Sequence, residues 1–297
     1  MSGGKAAGTR RQSIEFSIYK VNRNICERKF GMADVYGRKK MNHIIKAQLY
    51  QIRKTKFTPL VFVAMAVLNL TVFFGELGYR NYEVSAGECV AGMAAAMLST
   101  AVIFAIIFTG YVCGGDFTDK TSNYELMSGH TRRQAYFAHA VVSIVVGTAG
   151  TAILLILPVI VGSAAFGWGT ELDAGNALLR YGLSMFVVMR IICEFVFLTY
   201  VVKNPYVTMA GGYIIFMCSQ LLTNKSSSVF LGITCFNKLG SFESWFTYTL
   251  DNTVDLIEVY DAVLSVGDIA SIVVSSIGIG GLFLWLGYKF FAKDDMN

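Results

Sequence analysis

The sequence predicts an all-α membrane protein with six transmembrane helices. Two observations predict this class. Hydrophobic residues make up 54% of the 297-residue chain, charged residues make up only 15%, and the mean hydropathy is +0.52. Average soluble domains are about 25% charged, so this chain has too little charge to cover a large water-soluble core. Apolar runs of roughly 18 residues or more, which are long enough to cross a ~30 Å hydrocarbon core, also recur along the chain.

The N-terminal 40 residues are polar and basic, and we expect 1–40 to be a mostly disordered extension. They lack the apolar segment of a cleavable signal. Residues 1–56 carry fourteen of the 25 Lys and Arg. A basic segment beside a membrane is attracted to anionic lipids by about 1 kcal/mol per charge. The net charge of +5 therefore favours membrane lipids, and not nucleic acid, as a partner.

The chain changes character at Met41, where a six-span domain over 41–297 is predicted to begin. Ile44, Ile45, Leu49 and Ile52 recur there at helical spacing, opposite three basic residues, Lys46, Arg53 and Lys54. This pattern predicts an amphipathic helix that lies along the inner membrane interface before the first span. A simple helical extension of that span is an equally good reading.

Six apolar segments are predicted to cross the membrane: 58–76, 91–112, 137–166, 181–202, 205–223 and 269–290. Arg190 and Glu194 interrupt the fourth, which is retained because its flanks are apolar and because its removal would place the loops on conflicting sides. Lys and Arg near the spans number about eleven on one side and four on the other. By the positive-inside rule, both termini are predicted to be cytoplasmic.

The segment 224–268 is predicted to be an extracellular loop between spans five and six. Its stretches FESWFTYTL and VDLIEVYDAVLSV carry apolar residues at mixed helical spacing, so we expect short helices resting on the outer membrane face. A gate that faces a substrate and a passive cap over the bundle are both compatible with this loop.

The segment 116–134 is a polar stretch between two long apolar runs, and we call it the island. Residues 89–115 are uncharged, and 135–170 carry no charge at neutral pH except on a protonated His139. The island itself carries six charged residues: Asp116, Asp119, Lys120, Glu125, Arg132 and Arg133. It is predicted to be a compact cytoplasmic hairpin between spans two and three, where a soluble partner could bind.

No sequence motif indicates an enzyme or a cofactor site. The chain has no H-E-x-x-H, no G-x-S-x-G and no G-x-x-x-x-G-K-[ST] phosphate loop. His43, His130 and His139 are not spaced as a metal-ligand set, and His139 is interpreted as a hydrogen-bonded or solvated interfacial residue and not as a proton relay. The six cysteines show no metal-ligand spacing. We expect unpaired thiols, although Cys89 and Cys235 could pair.

Arg190 and Glu194 are the only paired polar groups within a predicted span. Their i, i+4 spacing places them on one helix face, where they can form an ion pair. An unpaired Arg at mid-membrane costs about 2.5–3.5 kcal/mol on insertion scales, and pairing offsets part of this cost. The pair could line a translocation pathway or could fix helix packing. Both readings predict that it faces protein and not lipid.

Together these features resemble the type-2 permease subunits of ABC transporters, most closely those found beside bacteriocin and lantibiotic export or immunity systems. The resemblance covers about 41–293 and rests on a short pattern in the island. That pattern comprises Asp116-Phe117, Asp119-Lys120-Thr121, the run Ser128-Gly129-His130-Thr131-Arg132-Arg133, and Tyr136. The chain departs from it where Asp-Lys-Thr replaces the usual Gly-Thr, and where His139 lies near a common Lys position.

The resemblance implies an exporter of an amphipathic substrate: a peptide or bacteriocin, a drug or a lipid-like molecule. In such transporters the hairpin between spans two and three is a coupling helix that docks on a separate ATPase subunit, with a second copy or a sister permease completing the complex. This implies an ATPase-binding role for Asp116, Asp119, Lys120, Glu125, Arg132 and Arg133, and a bacterial plasma-membrane location. An ATP-independent carrier, and a scaffold or sensor without transport, remain as alternatives.

Overall fold

The computed structural model describes residues 41–79, 85–118, 125, 127–169, 172–223, 239–240, 244–250, 253–259 and 264–293. These parts contain seven long helices and one β-hairpin. The helices are α1 (41–54), α2 (Phe57–Tyr79), α3 (Ala86–Thr118), α4 (Arg132–Phe166), α5 (Ala174–Val202), α6 (Pro205–Thr223) and α7 (Val266–Lys293). The predicted N-terminal extension, 1–40, lies outside the described residues.

In the described part of the chain, five helices are long and apolar enough to cross a membrane: α2, α3, α4, α5 and α7. Large apolar side chains such as Leu60, Val145 and Val274 are 68%, 61% and 69% exposed on the outside of the bundle. Lipid can cover such side chains, whereas water would not favour so many of them. The chain is therefore a multi-pass membrane protein. The apolar stretch of α6, Pro205–Cys218, is shorter, so a sixth crossing stays a prediction.

Helix α1 confirms the predicted helix before the first span, and the chain leaves the helical conformation between α1 and α2 at residues 55–56. It is thus a separate helix and not a plain extension of α2. Ile44 and Gln48 are buried on its inner face, while Lys46 and Arg53 are exposed. Leu49, assigned to the apolar face by its spacing, is 42% exposed.

Helices α3 and α5 form the centre of the bundle. Between them they contribute most of the fully buried apolar side chains, among them Met97, Leu98, Ile106 and Ile192, and α7 packs along α5. The C-terminal ends of α3, α5 and α7 lie together, where Phe117 contacts Tyr200 and Phe291. The N-terminal ends of α4 and α6 lie beside them. We call this the junction end.

Capping residues fix where several helices begin. Thr131 and Gln134 form a reciprocal capping box at the start of α4, and Ser85 and Glu88 form one at the start of α3. A good N-cap stabilises a helix by about 1 kcal/mol. Because the cap satisfies orphan backbone N–H groups, α4 begins at Arg132 within the polar island, earlier than the first apolar residue of the predicted span.

The connection between α5 and α6 is only two residues long. Lys203 ends α5 with a left-handed backbone (φ 57°, ψ 20°) and donates its N–H to the carbonyl of Thr199 at 2.8 Å. Asn204 Oδ1 then accepts the backbone N–H groups of Tyr206 and Val207 at 3.0 and 3.3 Å. These contacts force α6 to fold back beside α5.

A β-hairpin over 244–250 and 253–259 lies where the stretches FESWFTYTL and VDLIEVYDAVLSV were predicted to form short helices, whereas residues 239–240 are helical. Strand β1 (Ser244–Leu250) pairs antiparallel with β2 (Thr253–Val259), from Ser244 opposite Val259 to Leu250 opposite Thr253. The helical prediction for this part of 224–268 was therefore wrong. Thr, Val, Ile, Tyr, Phe and Trp dominate both stretches, and these residues favour strands. The two residues between the strands, Asp251 and Asn252, are types that favour tight turns.

The end of the bundle opposite the junction holds a buried arginine. The Arg180 side chain on α5 donates from Nε to Asn176 Oδ1 at 3.1 Å and from Nη1 to the carbonyl of Leu239 at 3.5 Å. Gly240, which follows Leu239, lies against the backbone of Ala95 on α3. A Cβ at Gly240 would come within 2.9 Å of the Ala95 Cα. Arg180 therefore holds residues 239–240 onto α3 and α5.

Candidate functional sites: a polar junction and a mid-span ion pair

The structure describes part of the polar island. Asp119 and Lys120 lie outside the described residues, and Asp116 belongs to α3 without a described side chain. Glu125, Arg132 and Arg133 are described, and they occupy different surroundings. Glu125 and Arg132 make contacts within the chain, whereas Arg133 is exposed and lies with its guanidinium 6.0 Å from the ring centre of Phe137.

Glu125, which is partly exposed, begins a polar chain of contacts that continues through the buried His139 and Gln48 and joins the island to two helices. His139 Nε2 on α4 lies 3.1 Å from Glu125 Oε2 and 3.3 Å from Oε1. On the other side of the ring, Gln48 Nε2 on α1 lies 2.7 Å from His139 Nδ1. An amide nitrogen only donates, so Nδ1 accepts, and the ring hydrogen on Nε2 is directed at the Glu125 carboxylate. His139 is 3% exposed and hydrogen-bonded at both ring nitrogens.

Arg132 joins the island to the last helix. Its Nη1 lies 3.3 Å from the carbonyl oxygen of Phe291 and 3.4 Å from that of Ala292. The final carbonyls of a helix have no partner inside the helix, and a cation near a helix C-terminus stabilises it by about 0.3–1 kcal/mol. Arg132 therefore caps α7 across 159 residues of sequence.

An aromatic cluster lies directly beneath these polar contacts. Tyr136 on α4 is fully buried and donates its hydroxyl to the carbonyl of Leu284 at 2.9 Å. Its ring centre lies 4.7 Å from that of Tyr200 on α5 and 6.2 Å from that of Phe291 on α7. Gly287 makes this approach possible, because a Cβ there would overlap the Tyr136 hydroxyl. We refer to this cluster, with Gln48, Glu125, Arg132 and His139, as the junction.

The tip of the island is exposed. Met127 is 82% exposed, and Ser128, Gly129 and Arg133 are also exposed. Gly129 has a φ of 86°, a conformation that costs a residue with a Cβ roughly 1 kcal/mol. The Ser128 hydroxyl donates to the Glu125 carbonyl at 2.7 Å and tightens the turn. Among its described residues, the island thus presents a fixed turn with Met127 and Arg133 exposed beside it.

Arg190 and Glu194 form the predicted ion pair on α5. Arg190 Nε donates to Glu194 Oε1 at 2.8 Å, and the two side chains are 7% and 30% exposed. Helix α7 passes beside the pair at Gly280, where a Cβ would lie 3.6 Å from the Arg190 Cα. Arg190 faces protein as predicted, while the Glu194 carboxylate reaches an opening on the surface of the isolated chain.

No group of three or more His, Cys, Asp or Glu side chains that could hold a metal ion occurs in the described part of the chain. Cys89 is fully buried, and Cys235 lies outside the described residues, so their pairing stays untested. The sequence analysis assigned no role to Gln48. Its position as a polar residue on the otherwise apolar face of α1 was the signal that could have indicated a buried polar contact. The pairing of His139 with Glu125 had no such signal.

No protein-family model matches the chain, and no curated protein matches it.

Proposed function

We propose that the chain is the membrane-spanning permease subunit of an ATP-driven exporter of an amphipathic substrate. In this proposal a separate ATPase subunit binds the exposed tip of 116–134, and both termini are cytoplasmic in a bacterial plasma membrane. The observation that carries the proposal is the junction. One short segment with an exposed tip makes part-buried contacts with α4 and α7, and His139 of α4 extends this chain of contacts to Gln48 of α1.

The geometry suits the transmission of force. A displacement of the tip moves Glu125 and Arg132, and these residues hold helices that are distant in sequence. Contacts of this kind move together because interiors are close-packed and have few voids. A loop that served only to connect two spans would need neither a part-buried carboxylate–histidine contact nor a cap on the last helix.

The exposed tip suits a protein partner. Methionine adapts to irregular apolar surfaces and is common where proteins bind one another, and Met127 is 82% exposed. The adjacent Arg133 adds a positive charge that can orient a partner. Since Arg132 and Glu125 are used inside the chain, we assign partner contact to Met127 and Arg133 and mechanical linkage to Glu125 and Arg132.

The test is reconstitution with an ATPase subunit encoded beside this chain. The double variant Met127→Asp with Arg133→Glu should abolish co-purification of the ATPase, since both exposed side chains change, while the thermal unfolding temperature of the permease stays within about 2 °C. As a control, Leu178→Asp on the distant exposed face of α5 should leave co-purification intact. Retained co-purification and retained ATP-dependent flux in the double variant would contradict the proposal.

Two results would favour the alternatives. Flux that is driven by a proton or sodium gradient, without any ATPase, would indicate an ATP-independent carrier. Absence of flux for amphipathic peptides, drugs and lipids, in a preparation that still binds a partner at the tip, would indicate a scaffold or sensor.

A further inference from the structure

The Arg190 guanidinium has hydrogen-bonding capacity that the chain does not use. A guanidinium carries five N–H donors, and in Arg190 only the Nε–H is bonded to a described residue, Glu194 Oε1 at 2.8 Å. The Nη donors, and Glu194 Oε2, have no partner in the described part of the chain. The side chain is nevertheless 93% buried, since it is 7% exposed. The unused Nη donors are not fully enclosed by the chain, so a ligand can reach them. A cation with unsatisfied donors in a low-dielectric region is costly unless a ligand or partner supplies acceptors.

The depth of the pair in the membrane means that bulk water cannot readily supply acceptors for the unused Arg190 donors. Arg190 is 12 residues from the end of α5 at Val202, which corresponds to about 18 Å along a helix. It is therefore well within the depth of a hydrocarbon core that is about 30 Å thick. Charged groups at this depth face cavities, partners or permeating substrates, and not lipid tails.

The shape of the vacant donor edge specifies its ligand. Glu194 contacts Nε through a single oxygen, so the opposite edge of the guanidinium, formed by the two Nη atoms, stays available. Two parallel N–H groups on a planar fork match the two oxygens of a carboxylate or a phosphodiester. The neighbouring Glu194 carboxylate repels a second negative charge, so a monoanion or a zwitterion fits better than a dianion.

We propose that Arg190 and Glu194 form a binding site for the oxyanion headgroup of a monoanionic or zwitterionic amphiphile, with Arg190 as the ligand-contacting residue. Glu194 tunes the affinity and gives the site its opening to the surface. The assignment rests on the proposed function, because it identifies the chemical class of the transported molecule. A carboxylate-bearing peptide or fatty acid and a phospholipid headgroup share this chemistry.

Helix α7 shapes the approach to the site. Gly280 lies beside the Arg190 Cα and Cys193 Sγ, each 3.6 Å from the position that a Cβ would occupy. This is ordinary van der Waals distance, so an alanine fits there without moving Arg190. Gly280→Ala is therefore a matched control that changes packing beside the site and leaves both charges in place.

The test measures binding to the purified chain in detergent without an ATPase, using three fluorescent amphiphiles with the same acyl chain. One carries a free carboxylate, one carries a phosphodiester, and one is the neutral methyl ester of the first. We expect at least one acid to bind at least about tenfold more tightly than the ester. The acid that binds distinguishes a carboxylate source from a phospholipid headgroup source.

Charge variants separate a ligand site from a structural ion pair. Arg190→Gln should weaken binding of the acid by about tenfold, whereas Glu194→Gln should strengthen it by several-fold because a repulsive charge is removed. Gly280→Ala should leave it unchanged. A structural pair predicts that both charge variants weaken binding or that neither has an effect, and either result overturns the assignment, as does equal binding of the ester.

The two proposals can fail separately. Because binding is measured on the chain alone, a headgroup-dependent site would remain established even if no ATPase bound the tip. Conversely, ATP-dependent flux that is equal for the acid and the ester, and unchanged in Arg190→Gln, would leave the permease role in place and overturn the assigned substrate class.

Discussion

Two arginines lie ten residues apart on α5, and the structure uses them differently. Arg180 and Arg190 are both buried, at 2% and 6% exposure. Arg180 hydrogen-bonds a side chain of its own helix and a backbone carbonyl 59 residues away, whereas within the described residues Arg190 hydrogen-bonds only Glu194, one turn along the same helix. The burial of a charge is therefore not sufficient to identify its role. The hydrogen-bonding capacity that remains unused is the more informative quantity.

The largest effect on stability is expected at Arg180. Arg180→Gln removes a charged donor that holds residues 239–240 onto the bundle. Loss of hydrogen bonds to a charged group costs about 1.5–3 kcal/mol, and the freed carbonyl of Leu239 adds to this cost. We expect the free energy of unfolding to fall by about 3 kcal/mol, as measured by denaturant titration in detergent micelles. A loss no larger than that in Arg190→Gln would remove the distinction between the two arginines.

The junction should behave like Arg180, because its groups are engaged by other elements. Gly287→Ala would place a methyl group against the Tyr136 hydroxyl and push α7 from α4. Overpacking costs about 1–3 kcal/mol, so we expect a loss of about 2 kcal/mol in the same titration. Gly281→Ala on the same helix is the control, since a Cβ there meets nothing within 4 Å. Equal losses in both variants would mean that the close approach is unimportant.

The polar chain at His139 should show a smaller and more local effect. His139→Ala removes the ring that joins Glu125 to Gln48, and we expect the free energy of unfolding to fall by about 1 kcal/mol, the typical net value of a hydrogen bond. Residues 41–54 should exchange their amide hydrogens at least several-fold faster, as α1 loosens from α4. His43→Ala, at an exposed position on α1, should leave exchange unchanged. Unaltered exchange in His139→Ala would show that α1 is held by its apolar contacts alone.

The smallest effect on stability is expected at Arg190. Arg190→Gln breaks one contact to a partly exposed carboxylate, which lowers the stability. It also removes a desolvated cation with unused donors, which raises the stability, so the two effects oppose one another. We expect the free energy of unfolding to change by less than about 1 kcal/mol, measured in parallel with Arg180→Gln. A loss of 3 kcal/mol or more would make Arg190 a structural residue like Arg180.

The spans could be predicted from sequence because their signal is local. Runs of apolar residues set the position of α2, α3, α4, α5 and α7, and helical spacing set α1. The hairpin β1–β2 was not predicted, because the alternation of apolar and polar residues over seven positions is a weak signal and the same residues also fit a helical spacing. Its Thr, Val and aromatic content was the better guide.

The junction could be predicted only in part, because its contacts are distant in sequence. The charges of Glu125 and Arg132 marked them as candidates for partner contact, yet their partners lie 14 and 159 residues away. No pattern along one chain encodes such separations. By contrast, the Arg190–Glu194 contact followed from i, i+4 spacing alone, although its unused donors required the structure.

The short connection between α5 and α6 has a consequence for how the protein is made. Helix α5 carries Arg190 near its middle, and an arginine at that depth costs about 2.5–3.5 kcal/mol to insert alone, whereas α6 has no charged residue. With only Lys203 and Asn204 between them, the two helices emerge from the ribosome almost together and can enter the bilayer as one helical pair. Lengthening this connection should delay the pairing, and newly made chains with α5 outside the membrane should then accumulate.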